Sequence, residues 1–310
     1  MISLTTLLDD AKCYDVLRGL RWPEGVMCPH CESLQVSKQG HDTTQPARQK
    51  YRCEDCGRHF DDLTGTIFAG RHQPLDAWIG CLYLMGLNQS NCQIAHELDL
   101  NEDDVQRMTE QLRMGIVAKT PLPRLSGEVE CDEVYVVAGH KGHPDAVEKK
   151  GRKGRRRRLK GAPGRGTLEK EKPPIFGMIE RGGQVVLRML ENVQQKTIRP
   201  LIQTIIAPGT LVYTDEYDIY ARLPQWGYGH KTVCHSQGEY ARDEDGDGFH
   251  EVHVNTMEGV WSLLRSWLRP HRGISQEKLP LYVGFFQFMH NVRCRGRGLL
   301  QPMLSALLTC

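Results

Sequence analysis

The spacing of apolar positions changes character once along this chain. From Pro74 to about residue 118 apolar residues recur at helical spacing, with Leu75, Trp78, Ile79, Leu82, Tyr83 and Met85 on one stripe. Ser90 is placed to cap a short helix, NCQIAHELDL. Asn101 is placed to cap a longer one, EDDVQRMTEQLRMGIV, whose first turn is acidic. From Gly127 the pattern turns to short runs rich in β-branched residues. EVECDEVYVVA predicts a strand, and PPIFGMIERGG followed by QVVLRMLENV predicts a hairpin that turns at Gly182 and Gly183. Residues 197–206 predict a helix stopped by Pro208 and Gly209. TLVYTDEYDIY predicts a strand with Asp215 near its end, and HKTVCH (230–235) a shorter one. Residues 257–268 predict a helix with Val260, Trp261, Leu263, Leu264 and Trp267 on its apolar side.

Helix, turn at Asp99 and Leu100, then a longer helix resembles a helix-turn-helix, although any three-helix bundle has the same pattern. The later order β-β-β-α-β-α-β-α resembles a ribonuclease-H-like fold, a mixed central sheet with helices on its faces. The fold class is therefore α/β, preceded by smaller units. The expected organisation is an N-terminal region 1–70, a helical segment 71–120, an α/β domain 125–297 with an insertion at 141–172, and a tail 298–310.

Composition narrows this little. The 310 residues are 39% hydrophobic and 25% charged, ordinary for a globular protein. Forty basic and 38 acidic residues leave a formal charge of +2. No run approaches the ~18 apolar residues of a membrane span. The acidic pair in MISLTTLLDDAKCYD stands where a signal-peptide cleavage site would fall. These features suggest a cytoplasmic protein with no membrane partner.

Eleven cysteines are many. Four form two CxxC pairs, Cys28 with Cys31 and Cys53 with Cys56, separated by 21 residues. A CxxC turn directs two thiolates at one tetrahedral ion, so the pairs predict a structural Zn²⁺ ribbon at about 22–62. Gly57 follows the second pair, where a tight turn needs positive φ. His30 and His59 are possible substitute ligands, but four thiolates already close the site. A closed site folds a domain and does not catalyse.

Charge is concentrated in KKGRKGRRRRLK. Lys149, Lys150, Arg152, Lys153, Arg155, Arg156, Arg157, Arg158 and Lys160 occupy nine of twelve positions. Such a block cannot fold on itself. It lies between two strand-like segments, so it is an insertion within a domain. Its chemistry suits DNA phosphates, with counterion release and strong salt dependence.

Three carboxylates stand where a strand or helix would hold them rigidly: Asp132, Asp215 and Glu258. Burying an ionised carboxylate costs several kcal/mol, of order 3–5, unless something pairs it. A hard divalent ion, Mg²⁺ or Mn²⁺, is a suitable partner. Two such ions could activate a water or 3′-hydroxyl for in-line phosphoryl transfer. Glu130 would share a strand face with Asp132 and is a rival ligand; Glu216 and Asp218 read as solvated or capping. DEDGDG (243–248) imitates a calcium loop, but Val254 stands where the bidentate Glu belongs. Arg265, Arg269, His271 and Arg272 cluster beyond Glu258, as a helix end or a DNA-backbone contact.

The chain resembles a DDE insertion-sequence transposase of the zinc-ribbon, ISXO-like group, from about Trp22 to Arg297. The likeness rests on MCPHC, YRCEDCGRHF, TGTIFAGRHQPLDAWI, ECDEVYVVAGHKG, VYTDEYDIY, HVNTMEGVWSLLR and RGISQEKLPLYVGFFQFMHNVR, in that order. It implies a Mg²⁺-dependent enzyme that cuts and joins double-stranded DNA at element ends and targets. Such an enzyme would act as an oligomer on paired ends, at the bacterial nucleoid. It carries Asp132 and Asp215 over as catalytic residues. Related chains use either Asn or Glu for the third. Asn255 and Glu258 are both present here, one helical turn apart, and a carboxylate binds a divalent ion more strongly than an amide. His253 is a possible phosphate contact or a packing residue. The rival functions are an inert transposase-derived DNA-binding protein and a different two-metal nuclease.

Overall fold

A computed structural model describes residues 9–140, 144–149, 166–169, 171–234, 237–244, 246–248, 250–292 and 296–308. It divides into two compact units, Met1–Thr120 with Val292–Cys310, and Pro121–Asn291.

The first unit starts with a helix that the apolar spacing did not announce, α1 (Asp10–Arg21), capped by Asp9 accepting from the Lys12 N–H. Strands β1 (Val36–His41), β2 (Gln49–Cys53) and β3 (His59–Asp61) form an antiparallel meander. Trp22, Tyr51 and Phe60 pack on it beside Cys28 and Cys53. Three helices follow as expected: α2 (Leu75–Gly86), α3 (Asn91–Glu97) and α4 (Glu102–Lys119). Ser90 and Asn101 accept from Gln93 N and Asp103 N, the predicted caps. Asp99 makes the turn between α3 and α4 at φ 51.

The second unit is a mixed sheet between helices. Its strands are β4 (Glu128–Tyr135), β5 (Pro174–Glu180), β6 (Val185–Met189), β7 (Leu211–Asp215) and β8 (Gly229–Val233), in the order β6-β5-β4-β7-β8. β6, β5 and β4 pair antiparallel; β4, β7 and β8 pair parallel. A short helix α5 (Pro144–Lys149) follows β4, and α6 (Gln195–Ile205) follows β6. A two-stranded ladder, β9 (Ala241–Arg242) with β10 (Val252–His253), precedes α7 (Asn255–Leu268) and α8 (Leu279–Val292).

Strand alternation sorts the core into two layers. Val129 and Cys131 of β4, with Phe176 and Met178 of β5, meet Ile198, Ile202 and Ile205 of α6. Val134, Ile175 and Ile179 meet Met257, Val260, Trp261 and Leu264 of α7 and Val283 and Phe286 of α8. Leu263, expected on the apolar side of α7, is 57% exposed. The run TLVYTDEYDIY is strand only to Asp215; a 3₁₀ turn at Asp218–Tyr220 then buries Ile219 and Tyr220.

Residues 298–310, expected as a tail, contain α9 (Leu300–Leu308). Leu300, Met303, Leu304, Leu307 and Leu308 are buried, and α9 packs on α1, α2 and α4 of the first unit. Gly115 of α4 makes this close approach possible, because a Cβ there would meet Leu307 at 2.7 Å. Among the described residues no helix is long and apolar enough to cross a membrane.

Gly177 governs the α7 layer. It pairs with Asp132, and a Cβ on it would stand 2.5 Å from the Trp261 ring and 2.7 Å from the Met257 methyl. Gly177→Ala is expected to lower stability by about 1–3 kcal/mol through overpacking. Thermal unfolding measures it; an unchanged melting temperature would mean that α7 shifts at no cost.

Candidate functional site

The zinc site is built by two knuckles. Cys28 and Cys31 lie before β1; Cys53 ends β2, and Cys56 follows in the turn. The four Sγ atoms lie within 4.8 Å of one another, with Cys28–Cys56 at 3.7 Å and Cys31–Cys53 at 3.5 Å. Tetrahedral thiolates about 2.3 Å from one Zn²⁺ stand about 3.8 Å apart, so these spacings fit that ion. The N–H groups of His30 and Cys56 point at Cys28 and Cys53 Sγ at 3.5 Å. The Cys56 N–H is the main cause that brings the Cys53 thiol down to about 7. Gly57 takes φ 70, as its turn requires.

A buried acid ties this ribbon to α1. Asp62 is fully buried and accepts from Arg18 Nε at 3.0 Å, Tyr51 OH at 3.0 Å and Gln49 N at 2.7 Å. Arg21 donates to the Asp62 carbonyl.

In the second unit the ladder between β4 and β7 pairs Val129 with Val212 and Glu130 with Tyr213. The paired ladder ends there; Asp132 and Asp215 each lie two residues further along their strands, on the face that α7 covers. Trp261 Nε1 donates to Asp132 Oδ2 at 2.8 Å. Burial raises the Asp132 carboxyl to about 6, against the hydrogen bonds from Trp261 and the Glu133 N–H; the charges of Asp215 and Glu258 add to the rise. Asp215 also accepts from Tyr217 N at 3.1 Å. Glu258 is exposed, one turn before Trp261 on α7, and Asn255 is exposed one turn earlier still. The three acids are therefore electrostatic neighbours but do not close on one point. Among the described residues only the four cysteines bring three or more His, Cys, Asp or Glu ligand atoms all within 4.8 Å.

The rival acids separate clearly. Glu130 is fully buried and accepts from Arg181 Nε at 2.9 Å, Thr256 Oγ1 at 2.8 Å and Met257 N at 2.9 Å. Glu133 points to the opposite face, where Tyr220 OH donates to it. Glu216 and Asp218 are exposed. Asp243 accepts from Gly246 N and Gly248 N, so its carboxylate holds a turn. His253 Nδ1 lies 3.3 Å from Glu130 Oε1, an ion pair only if the ring is charged. Burial and Arg181 lower its pKa, and Nδ1 accepts from Asn255 N at 3.3 Å, so we read the ring as neutral.

Arg265, Arg269 and Arg272 are exposed, while His271 packs between Trp267 and Tyr282. Of the basic block, the backbone of Lys149 ends α5. Lys150, Arg152, Lys153, Arg155, Arg156, Arg157, Arg158 and Lys160 lie outside the described residues. Sequence reasoning missed Trp261 as the partner of Asp132 and Arg181 as the partner of Glu130. Spacing could have suggested the first, since Trp261 follows Glu258 by one helical turn.

Two families of sequences match the two parts of the chain. The ISXO2-like transposase domain matches residues 124–291, and the transposase zinc-ribbon domain matches residues 8–59. A protein of the transposable element ISH50 of Halobacterium salinarum is 34% identical over 312 residues, covering 99% of this chain and 100% of its own length. A transposase-like protein of Haemophilus influenzae is 26% identical over 95 residues, 31% of this chain and 71% of its own. Two solved structures are distant likenesses. One is a chain of a simian T-cell lymphotropic virus intasome in complex with PP2A regulatory subunit B56 gamma (10% identity, TM-score 0.30, 68% of this chain and 67% of that one). The other is from a pre-cleavage Mos1 transpososome (12% identity, TM-score 0.21, 69% and 78%). An N-terminal ribbon followed by this mixed α/β unit defines a protein of the transposase class. In particular, the chain belongs to the ISXO2-like transposases of insertion elements that carry a zinc ribbon.

Two outcomes are expected from this geometry. Purified protein should hold about one Zn²⁺ per chain by elemental analysis, and Cys53→Ser should lose it; a zinc-free parent would refute the ribbon. The second concerns Asp132. An acid whose folded pKa exceeds its unfolded value loses stability as pH rises between the two. The interval here runs from 3.8 to about 6, and the full cost stands above it. In buffer free of Mg²⁺ and Mn²⁺, with zinc retained, Asp132→Asn is expected to be more stable by about 3 kcal/mol well above pH 6. The gain fades below about pH 4. Equal melting temperatures at about pH 8 would mean that Asp132 carries no such cost.

Proposed function

We propose that this chain is an active DNA transposase whose second unit cleaves and transfers DNA strands at insertion-element ends with a divalent cation, Mg²⁺ or Mn²⁺. The observation that carries the reading is that Asp132 and Asp215 lie on neighbouring parallel strands, near enough for the Asp215 charge to act on Asp132, whose pKa burial pushes up to about 6. A carboxyl whose ionised form is disfavoured by burial, and further by the charges of Asp215 and Glu258, gains from a cation. The donor set is all oxygen, which suits hard ions. Membership of the family supports the same reading. The strand order β6-β5-β4-β7-β8, antiparallel then parallel, is consistent with a ribonuclease-H-like sheet.

Asp132 and Asp215 are the ligands from the sheet, and Glu258 the ligand from α7. Divalent ions bound there supply activation of the attacking hydroxyl and stabilisation of the leaving oxygen. Trp261 holds one Asp132 oxygen in place. Glu258 is preferred to Asn255 because its charge already acts on Asp132. The zinc ribbon and helices α2–α4 hold double-stranded DNA, and the basic insertion contacts its phosphates. The enzyme works as a homo-oligomer on paired ends, in the cytoplasm.

Cleavage of DNA carrying the element's own ends, with Mg²⁺, tests this. Asp132→Asn and Asp215→Asn are expected to lose roughly 10²–10³-fold or more in rate. Glu258→Gln should fall similarly and Asn255→Ala much less. Parental cleavage by Asp132→Asn sinks the mechanism.

A further inference from the structure

The N-cap residue of α7, Val254, makes no side-chain hydrogen bond there, and His253 Nδ1 accepts from the Asn255 N–H. The other N–H groups of a first helical turn need acceptors from outside the helix. Glu130, on the central strand, supplies one. Its Oε2 accepts from Met257 N, and its Oε1 accepts from Thr256 Oγ1. Met257 is the residue immediately before Glu258.

The same carboxylate is tied from the other side. Arg181, just after β5, donates through Nε to Glu130 Oε1. Its Nη1 and Nη2 donate to the carbonyls of Glu251 and His253 at 2.7 and 2.9 Å, in the segment leading into α7. Its guanidinium lies 3.9 Å from the Tyr213 ring centre on β7, and Tyr213 OH donates to Glu128 on β4. One fully buried carboxylate thus joins β4, the end of β5 and the start of α7, two residues from Asp132 and on its face. Its oxygens are taken up by three donors, one a guanidinium at 2.9 Å, which repels a dication. Glu130 is a poor ligand and a good anchor.

We infer that Glu130 and Arg181 are positioning residues that set where Glu258 stands relative to Asp132 and Asp215, and so set the affinity of the divalent-ion site. The inference rests on the proposed metal site. Glu130 touches neither ion nor DNA; it acts through the first turn of α7. Glu130→Gln keeps the size but sets an amide N–H₂ against a donor already in place. Thr256→Val removes one hydrogen bond at nearly constant volume and serves if Glu130→Gln folds poorly.

The test is Mn²⁺ binding to the full zinc-loaded chain without DNA, followed by the electron paramagnetic resonance signal of free Mn²⁺. Thermal melting confirms folding. The parent should bind, Asp132→Asn should not, and Glu130→Gln should bind at least about tenfold more weakly, with Thr256→Val between. Mg²⁺ needed for half-maximal cleavage should rise in the same order while DNA affinity stays constant. If both variants bind Mn²⁺ like the parent while Asp132→Asn does not, the clamp is wrong and the metal site stands. If the parent does not bind, or Asp132→Asn binds equally well, the metal site itself fails and the inference with it.

Discussion

Two carboxylates on one face of a buried central strand constrain everything around them. Glu130 and Asp132 both point from β4 toward α7, where water cannot solvate them freely. An unpaired buried carboxylate costs several kcal/mol, and removing one partner of a buried pair costs about 3–5 kcal/mol. Glu130 meets this with Arg181, Thr256 and the Met257 N–H. Asp132 meets it only in part, with Trp261 and a backbone N–H, and its pKa stays raised. The difference between the two acids is a division of labour. Glu130 spends its oxygens on the start of α7, and Asp132 keeps a raised pKa. Gly177 belongs to the same arrangement, since only a residue without Cβ lets Trp261 lie over the sheet close enough to reach Asp132.

The first unit solves a similar problem at smaller scale. Its meander buries few apolar side chains, chiefly Trp22, Tyr51 and Phe60, so the four thiols and the Asp62 network carry much of its cohesion. Small folds without a large core depend on such staples. Asp62 orients Arg18 and thereby fixes α1 on the ribbon. Helix α9 then fills the apolar surface of α1, α2 and α4, so that both ends of the chain contribute to one core.

Much of this was legible in advance, and the limits follow physical lines. The CxxC pairs were readable because ligand spacing within a knuckle is local. The caps Ser90 and Asn101 were readable because a cap acts over three residues. The strand positions of Asp132 and Asp215 were readable because each acid lies in or at the end of a β-branched run. Leu263 was misplaced because its position on the helical wheel borders the apolar stripe without entering it. The turn after Asp215 was missed because Tyr217, Ile219 and Tyr220 read as strand but pack as a 3₁₀ turn. The terminal helix was passed over because its stripe of leucines has no polar face long enough to mark a period.

Local chemistry in the sequence determined the element types, the zinc ligands and the acids worth attention, because each depends on residues a few positions apart. Tertiary structure decided what those acids do. Glu130 and Asp132 are chemically alike and two residues apart. Which one receives Arg181 and which one receives Trp261 depends on residues 51 and 129 positions away, brought together by the sheet and by α7. No local pattern encodes such pairings, because they arise from the order in which the strands lie side by side.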